Sequence, residues 1–209
     1  MSAHTHTRLL RPLHPHGSFE GRSSRFYDVM ARRFLRGLYR RIAEDLIIAA
    51  PMDSAVLDVG TGPGVLLAEI ARARPDLRVT GIDLSGDMVA AAERNISEFG
   101  ERASVRVGDV ADLPFGDRTF DLIVTSFSLH HWADVERAVP ELARVLRPGG
   151  QLYVYDFQRA PFGVLDTAAR GKGAFAGRPV QHTVIRAGQL HLRHCVRHVM
   201  SAAGTRPQP

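Results

Sequence analysis

Apolar residues recur at three- and four-residue intervals from Phe26 through Val29, Met30, Phe34, Leu38 and Ile42 to Leu46, with arginines between them. That spacing sets them on one face of a helix beginning near Ser24. The period then changes. Short runs at Ala55–Gly60, Arg78–Leu84, Ser104–Gly108, Asp121–Ser126 and Gln151–Asp156 read as strands, and helical patterns at Val65–Arg74, Asp87–Phe99 and Asp134–Leu146 fall between them. Pro140 interrupts the last pattern, so either the helix kinks there or its regular part starts with Pro140 in the first turn. Leu122-Ile123-Val124 is apolar at every position, as a strand covered on both faces must be. Strand–helix alternation implies right-handed crossovers and a parallel sheet. The expected fold class is α/β: a doubly wound, mostly parallel, Rossmann-like sheet with helices on both faces and its ligand at the carboxyl ends of the strands.

After Asp156 the pattern fades. Residues 170–179 read as a Gly- and Pro-punctuated loop, and no helix is expected after the fifth strand. Val180–Arg186 and Leu190–Met200 read as extended, separated by a turn at Ala187-Gly188-Gln189, which predicts an antiparallel terminal pair. Residues 1–22 have no apolar period and read as a flexible arm, residues 23–203 as one domain, and residues 204–209 as a disordered tail.

Composition narrows the class. A chain of 209 residues, 44% hydrophobic and 23% charged, suits one ordinary globular domain. No run approaches the ~20 apolar residues of a membrane span, and the first residues lack the apolar core of a secretory signal. Cys195 is the single cysteine, which excludes an intrachain disulfide and a cysteine metal cluster. These features point to the cytoplasm. His4, His6, His14 and His16 sit in the arm without carboxylate or thiolate partners at a fixed spacing, so no metal site is expected. The net charge of +5 comes from arginines spread along several helices, which favours a solvated basic surface over a nucleic-acid site.

The chemistry concentrates in Val56-Leu-Asp-Val-Gly-Thr-Gly-Pro-Gly-Val65, a strand that turns through Gly60, Gly62 and Gly64 into a helix. Glycines there admit positive φ and let a ligand approach the backbone, while the helix start offers free N–H groups. The spacing is G-x-G-x-G, not the dinucleotide G-x-G-x-x-G, and the Lys-Ser/Thr of a P-loop is absent. Asp58 adds a carboxylate at the strand end, suited to a cationic amine. Asp83 closes the next strand, where a carboxylate can accept both hydroxyls of a ribose, and Ser85 suits the N-cap that follows.

Six segments then stand in order: Asp58–Gly64, Gly81–Ser85, Gly108–Phe115, Phe120–Ser126, Leu129-His-His-Trp132 and Arg144-Val-Leu-Arg-Pro-Gly-Gly-Gln-Leu152. Together they closely resemble the class I S-adenosylmethionine-dependent methyltransferases, in particular the branch of the ubiquinone/menaquinone-biosynthesis C-methyltransferases, over roughly Tyr27 to Pro161. The resemblance implies S-adenosylmethionine as cofactor and S-adenosylhomocysteine as product. It implies that Gly60, Gly62 and Gly64 make room for the methionine part, that Asp58 faces its amino group, and that Asp83 holds the ribose. Leu84 and Met88 would pack on ribose or adenine, Asp109 and the Val110 N–H would meet the adenine, and Ser126 would lie near the transferred methyl. Asp112 reads as a turn residue.

An acceptor must lose a proton, so His130 and His131 are candidate general bases, with packing beside Trp132 as the structural alternative. Tyr27 and Phe127 are candidate substrate contacts. The leading function is methyl transfer to a small-molecule acceptor. An RNA or protein methyltransferase is disfavoured because Ser126-Phe-Ser-Leu129 replaces the Asn/Asp-Pro-Pro-aromatic tetrad of amino-group enzymes. A silent methyltransferase-like binding subunit is the reading from another class, and the intact glycine loop weighs against it. The segment after Asp156 lacks the family's Ala-Gly-Phe junction, which admits a site completed in a homo-oligomer.

Overall fold

The computed structural model describes residues 36–171, 175, 183–185 and 195–204. The elements are helix α1 (Arg36–Ala49), strand β1 (Ala55–Val59), α2 (Val65–Ala73), β2 (Arg78–Asp83), α3 (Gly86–Ile96), β3 (Ala103–Val107), β4 (Phe120–Ser126), α4 (Val135–Val145), β5 (Leu146–Phe157), α5 (Phe162–Gly171), β6 (Thr183–Ile185) and β7 (Cys195–Ser201). They form one sheet in the order β3-β2-β1-β4-β5-β7-β6. β1 to β5 are parallel, and β7 runs antiparallel between β5 and β6. The fold class expected from the strand–helix alternation is the one observed.

Side-chain alternation along the strands divides the core into two layers. Val56, Leu122, Val124, Tyr153 and Tyr155 point toward one face, with Leu38, Ile42 and Leu46 of α1 and Leu66, Leu67 and Ile70 of α2. Leu57, Val59, Ile123, Leu152 and Val154 point to the other, with Val139, Leu142 and Val145 of α4 and Leu165 of α5. The helical stripe read from Leu38, Ile42 and Leu46 is therefore core, and Arg36, Arg40 and Arg41 lie exposed on the opposite side. Phe26, Tyr27, Val29, Met30 and Phe34 lie outside the described residues, as do the arm, residues 205–209 and the turn at Ala187–Gln189.

Several boundaries differ from expectation, each for a local reason. α4 is capped by Asp134, whose side chain accepts from the Arg137 N–H at 2.9 Å, and it runs through Pro140 rather than starting there. Its buried stripe of Val135, Ala138, Val139, Leu142 and Val145 outweighs the one missing N–H. α3 ends at Ile96 and tightens into a 3-10 segment, Ser97–Arg102, where Gly100 takes φ +58°. β5 begins at Leu146, five residues early, because a bulge between its pairings with Phe120 and Leu122 carries the chain past Gly149 and Gly150. A Cβ at Gly150 would lie 2.9 Å from the Arg147 carbonyl, so only glycine fits there.

The expectation that no helix follows the fifth strand is wrong. α5 forms on a narrow stripe, Phe162, Leu165, Ala168 and Ala169, too short and too alanine-rich to stand out in sequence. Its stability is tertiary: the wholly buried His198 of β7 lies 2.9 Å from Asp166 and stacks on Phe162 at 5.4 Å between ring centres. On the opposite face, Asp45 of α1 accepts from the Tyr155 hydroxyl at 2.7 Å and from Arg197 at 2.6 Å, tying the first helix to β5 and β7.

Candidate active site

The strand order reverses between β1 and β4, and a crevice at the carboxyl ends of the strands is the binding position such a reversal creates. Four carboxyl ends line up there: Asp83 on β2, Asp58 on β1, Ser126 on β4 and Asp156 on β5. The candidates drawn from separate parts of the sequence thus meet along one edge, while Tyr27 lies outside the described residues.

Asp58 is wholly buried. Its Oδ2 accepts from the Thr61 hydroxyl at 2.8 Å, and its Oδ1 has no hydrogen-bond partner among the described residues. Burial, opposed by the Thr61 hydroxyl and reinforced by the Asp83 charge, pushes its carboxyl up to about 7. An orphaned buried carboxylate oxygen is costly, and a cationic group brought to it would remove that cost.

The three loop glycines are not equivalent. All take positive φ. A Cβ on Gly60 would meet Ser128 Oγ at 2.0 Å, and one on Gly64 would meet Ala92 of α3 at 2.9 Å, so these two are required by the protein's own packing. A Cβ on Gly62 meets nothing within 4 Å. Gly62 is the glycine that faces open space.

Asp83 is tied at both oxygens: Oδ2 accepts from the Gly62 N–H at 2.8 Å and Oδ1 from the Ser85 N–H at 2.9 Å. Partial burial raises its carboxyl, against the pull of those two N–H groups and of His131. The residue that would hold a ribose also fixes the glycine loop, a role the spacing did not reveal. Ser85 caps α3, accepting from the Met88 N–H at 3.4 Å. Next to it Leu84 is 74% exposed, an apolar side chain left at the rim, whereas Met88 is buried. The chain after β3 is fastened to Asp83 by the Gly108 N–H at 3.0 Å, which brings Asp109 and Val110 beside it. Asp109 Oδ1 accepts from the Ala111 N–H, and Asp112 closes the turn onto the Asp109 carbonyl, as expected for a turn residue.

The loop after β4 covers the centre. Phe127 takes φ +53°, an uncommon conformation for a bulky residue, and its ring lies 5.1 Å from Phe157 and 6.1 Å from Tyr39. Ser128 fills the space above Gly60 and accepts from the Trp132 indole at 3.0 Å. His130 and His131 follow on a 3-10 turn, Leu129–His131, with ring centres 4.0 Å apart. His130 Nδ1 lies 2.8 and 3.0 Å from the two oxygens of Asp156, and the His130 N–H donates to the same carboxylate at 3.1 Å. In the sequence Asp156 stands out only as the end of the fifth strand. No sequence signal separates it from other strand-terminal acids, because its partner stands 26 residues away. Burial and the neighbouring His130 lower the pKa of His131, while Asp156 and Asp83 act the other way. Among the described residues no group of three His, Cys, Asp or Glu side chains could hold a metal ion.

A doubly wound sheet with a glycine loop and strand-end acids at its topological switch point is the arrangement by which open α/β folds hold nucleoside-bearing ligands. Residues 56–150 match the family described as a methyltransferase domain. The ubiquinone/menaquinone-biosynthesis C-methyltransferase of Geotalea daltonii is 34% identical over 142 residues, covering 65% of this chain and 60% of that protein. The demethylmenaquinone methyltransferase of Thermus thermophilus is 35% identical over 148 residues, 69% of this chain and 66% of that one. The chain therefore spans somewhat under two thirds of the length of these curated relatives. An S-adenosylmethionine-dependent methyltransferase structure from Aquifex aeolicus superposes with a TM-score of 0.65 at 20% identity, over 86% of this chain and 97% of the other, a likeness of fold. Residues 56–150 thus form a methyltransferase domain, and the chain is similar to S-adenosylmethionine-dependent methyltransferases. The cofactor of those enzymes is S-adenosylmethionine.

Proposed function

We propose that the chain transfers a methyl group from S-adenosylmethionine to a small, flat acceptor of the quinol type. The observation that carries this reading is the unpartnered, wholly buried Oδ1 of Asp58 beside Gly62, the one loop glycine with open space over it. An α-ammonium group is the complement of that oxygen. When bound, the cofactor supplies an activated sulfonium methyl, so the protein's part is to hold, align and dehydrate the reactants. In this reading Asp58 takes the amino group, Gly62 leaves room for the methionine chain, Asp83 takes the ribose, and Leu84 and Met88 flank ribose or adenine. Asp109 and the Val110 N–H meet the adenine edge, and Ser126 lies beside the methyl.

The quinol class is supported by the activities for which the two relatives are named and by the exposed ring of Phe157, which packs on the buried Phe127 at the strand ends. Nucleic acid is a poorer fit. Among the described residues Arg36, Arg40, Arg72, Arg74, Arg144, Arg147 and Arg197 each pair with a carboxylate of the chain, which draws their charge away from a phosphate. Among the described residues no helix is long and apolar enough to cross a membrane. The cytoplasm remains the proposed compartment, in keeping with a single buried thiol, Cys195.

The test is transfer of label from methyl-labelled S-adenosylmethionine to demethylmenaquinol, with calorimetry of S-adenosylhomocysteine alongside. Labelled quinone product supports the reading. Tight S-adenosylhomocysteine binding without product would move the acceptor to another class, and no binding at all would overturn the proposal.

A further inference from the structure

We propose that His130, held by Asp156, is the base that removes the acceptor's proton, and that Asp156 is its positioning residue. This rests on the methyltransferase reading and specifies the acceptor half of the same site. The side chain of Asp156 is 0% exposed and that of His130 is 30% exposed, so one member of the pair is interior and the other reaches the crevice. The carboxylate oxygens of Asp156 accept from the Phe157 N–H at 2.7 Å and the His130 N–H at 3.1 Å, as well as facing Nδ1. A carboxylate can only accept, so Nδ1 carries the ring proton and Nε2 is left with its lone pair. The main-chain bond and the ring bond to one carboxylate hold both the backbone and the imidazole of His130 in place. That is the arrangement a base requires when its partner must be met in one orientation.

The neighbouring histidine is less suited. Both Asp156 and Asp83 act on His131, whereas His130 is the ring whose Nδ1 meets the Asp156 carboxylate and which lies 5.4 Å from the ring of Phe157. Phe157 is 41% exposed although it continues the aromatic contact with Phe127, and it offers a flat apolar surface beside the His130 ring. An acceptor with an acidic hydroxyl on a planar ring, a phenol, enol or hydroquinol, fits that pairing. In the step proposed, the acceptor O–H bond breaks, the proton goes to Nε2, and the electron pair remains on the acceptor. The imidazolium is then opposite the Asp156 charge and later releases its proton to water through its exposed edge. The titratable groups around the pair are His131 on the same turn, Asp83 beyond it, and Cys195 at the head of β7, whose thiol is pushed up to about 12 by burial and by Asp156.

Two readouts test this with the full chain loaded with S-adenosylhomocysteine. Nitrogen-15 NMR of labelled histidine, assigned with His130→Gln, should show His130 protonated at Nδ1 and bare at Nε2 above neutral pH. Asp156→Asn should abolish that tautomer preference while S-adenosylhomocysteine affinity stays within about threefold. With demethylmenaquinol as acceptor, His130→Gln should lower kcat about a hundred- to ten-thousandfold and leave the KM for S-adenosylmethionine unchanged. Added imidazole should restore part of the turnover of His130→Ala. An Nε2–H tautomer in the wild type, or a His130→Gln variant with full turnover, would overturn the proposal. Should Asp156→Asn fail to fold, the half-exposed His130 variants still decide it. A wild type that binds S-adenosylhomocysteine and shows the Nδ1–H tautomer but does not methylate the quinol would refute the acceptor class and leave the pair standing. Loss of S-adenosylhomocysteine binding in the wild type would refute the methyltransferase reading itself.

Discussion

Ser128 Oγ occupies the position that a side chain on Gly60 would need, 2.0 Å from the missing Cβ. The β4 loop thereby closes over the first glycine and leaves the second, Gly62, as the open one. Gly62 has φ +54°, so Gly62→Ala adds about 1–2 kcal/mol of left-handed strain and should leave the chain folded. Its methyl would stand in the ligand's path, and calorimetry should show S-adenosylhomocysteine affinity reduced roughly tenfold or more. Gly60→Ala should instead lose fold, seen as a lower denaturant midpoint. Equal affinity in wild type and Gly62→Ala would make Gly62 a turn glycine only.

Asp58 couples stability to ligand binding through pH. Its folded-state carboxyl, at about 7, lies above its ordinary value of 3.8, so the native chain binds more protons than the unfolded one between those limits. Its contribution therefore favours the fold at low pH and is lost as pH rises from about 4 to about 7. Asp58→Asn keeps an acceptor for the Thr61 hydroxyl and cannot ionise. The variant should be more stable than the wild type above pH 7, by on the order of a few kcal/mol, with the difference closing in acid. It should bind S-adenosylhomocysteine about ten- to hundredfold more weakly. In the wild type, affinity should rise as pH climbs toward about 7, where the carboxylate forms, and fall above about 8, where the ligand's amino group deprotonates. Denaturation and calorimetry across the same pH series measure both.

Asp83 is shared between loop and ligand. Asp83→Ala removes acceptors from Gly62 and Ser85 as well as from a ribose, so loss of affinity alone cannot identify a direct contact. A 2′-deoxy analogue of S-adenosylhomocysteine separates the two. It should cost the wild type a share of the ~1.5–3 kcal/mol typical of a charged hydrogen bond, and cost Asp83→Ala almost nothing. Additive losses would confine Asp83 to holding the loop.

Arg144 fastens the segment after β3 to α4. Its guanidinium donates to Glu141, to Asp117 and to the carbonyls of Leu113 and Phe115, and Glu141 in turn accepts from the Leu113 N–H at 2.8 Å. Arg144→Lys keeps the charge and cannot reach these acceptors as a planar fork does. The variant should lose about 1–3 kcal/mol in urea denaturation. Stability equal to that of the wild type would show that Leu113 and Phe115 find other donors.

The periodicities that depend on residues close in the chain were legible without coordinates. Leu38, Ile42 and Leu46 announce a helix, Leu122–Val124 a doubly covered strand, and Asp58–Gly64 a glycine turn from strand into helix, because each signal is local: a repeat of two or 3.6, a cap, a glycine turn. Even the antiparallel end was readable as two extended runs, although its insertion between β5 and β6 was not. What only the tertiary structure decided concerns partners far apart in sequence. Asp156 finds His130, Ser128 closes over Gly60, His198 lies against Asp166 of a helix that the local pattern did not show, and Gly62 is left the open one of the three loop glycines. Such contacts depend on which strands end side by side and how a loop lies over its neighbour, and no period along a single chain records that.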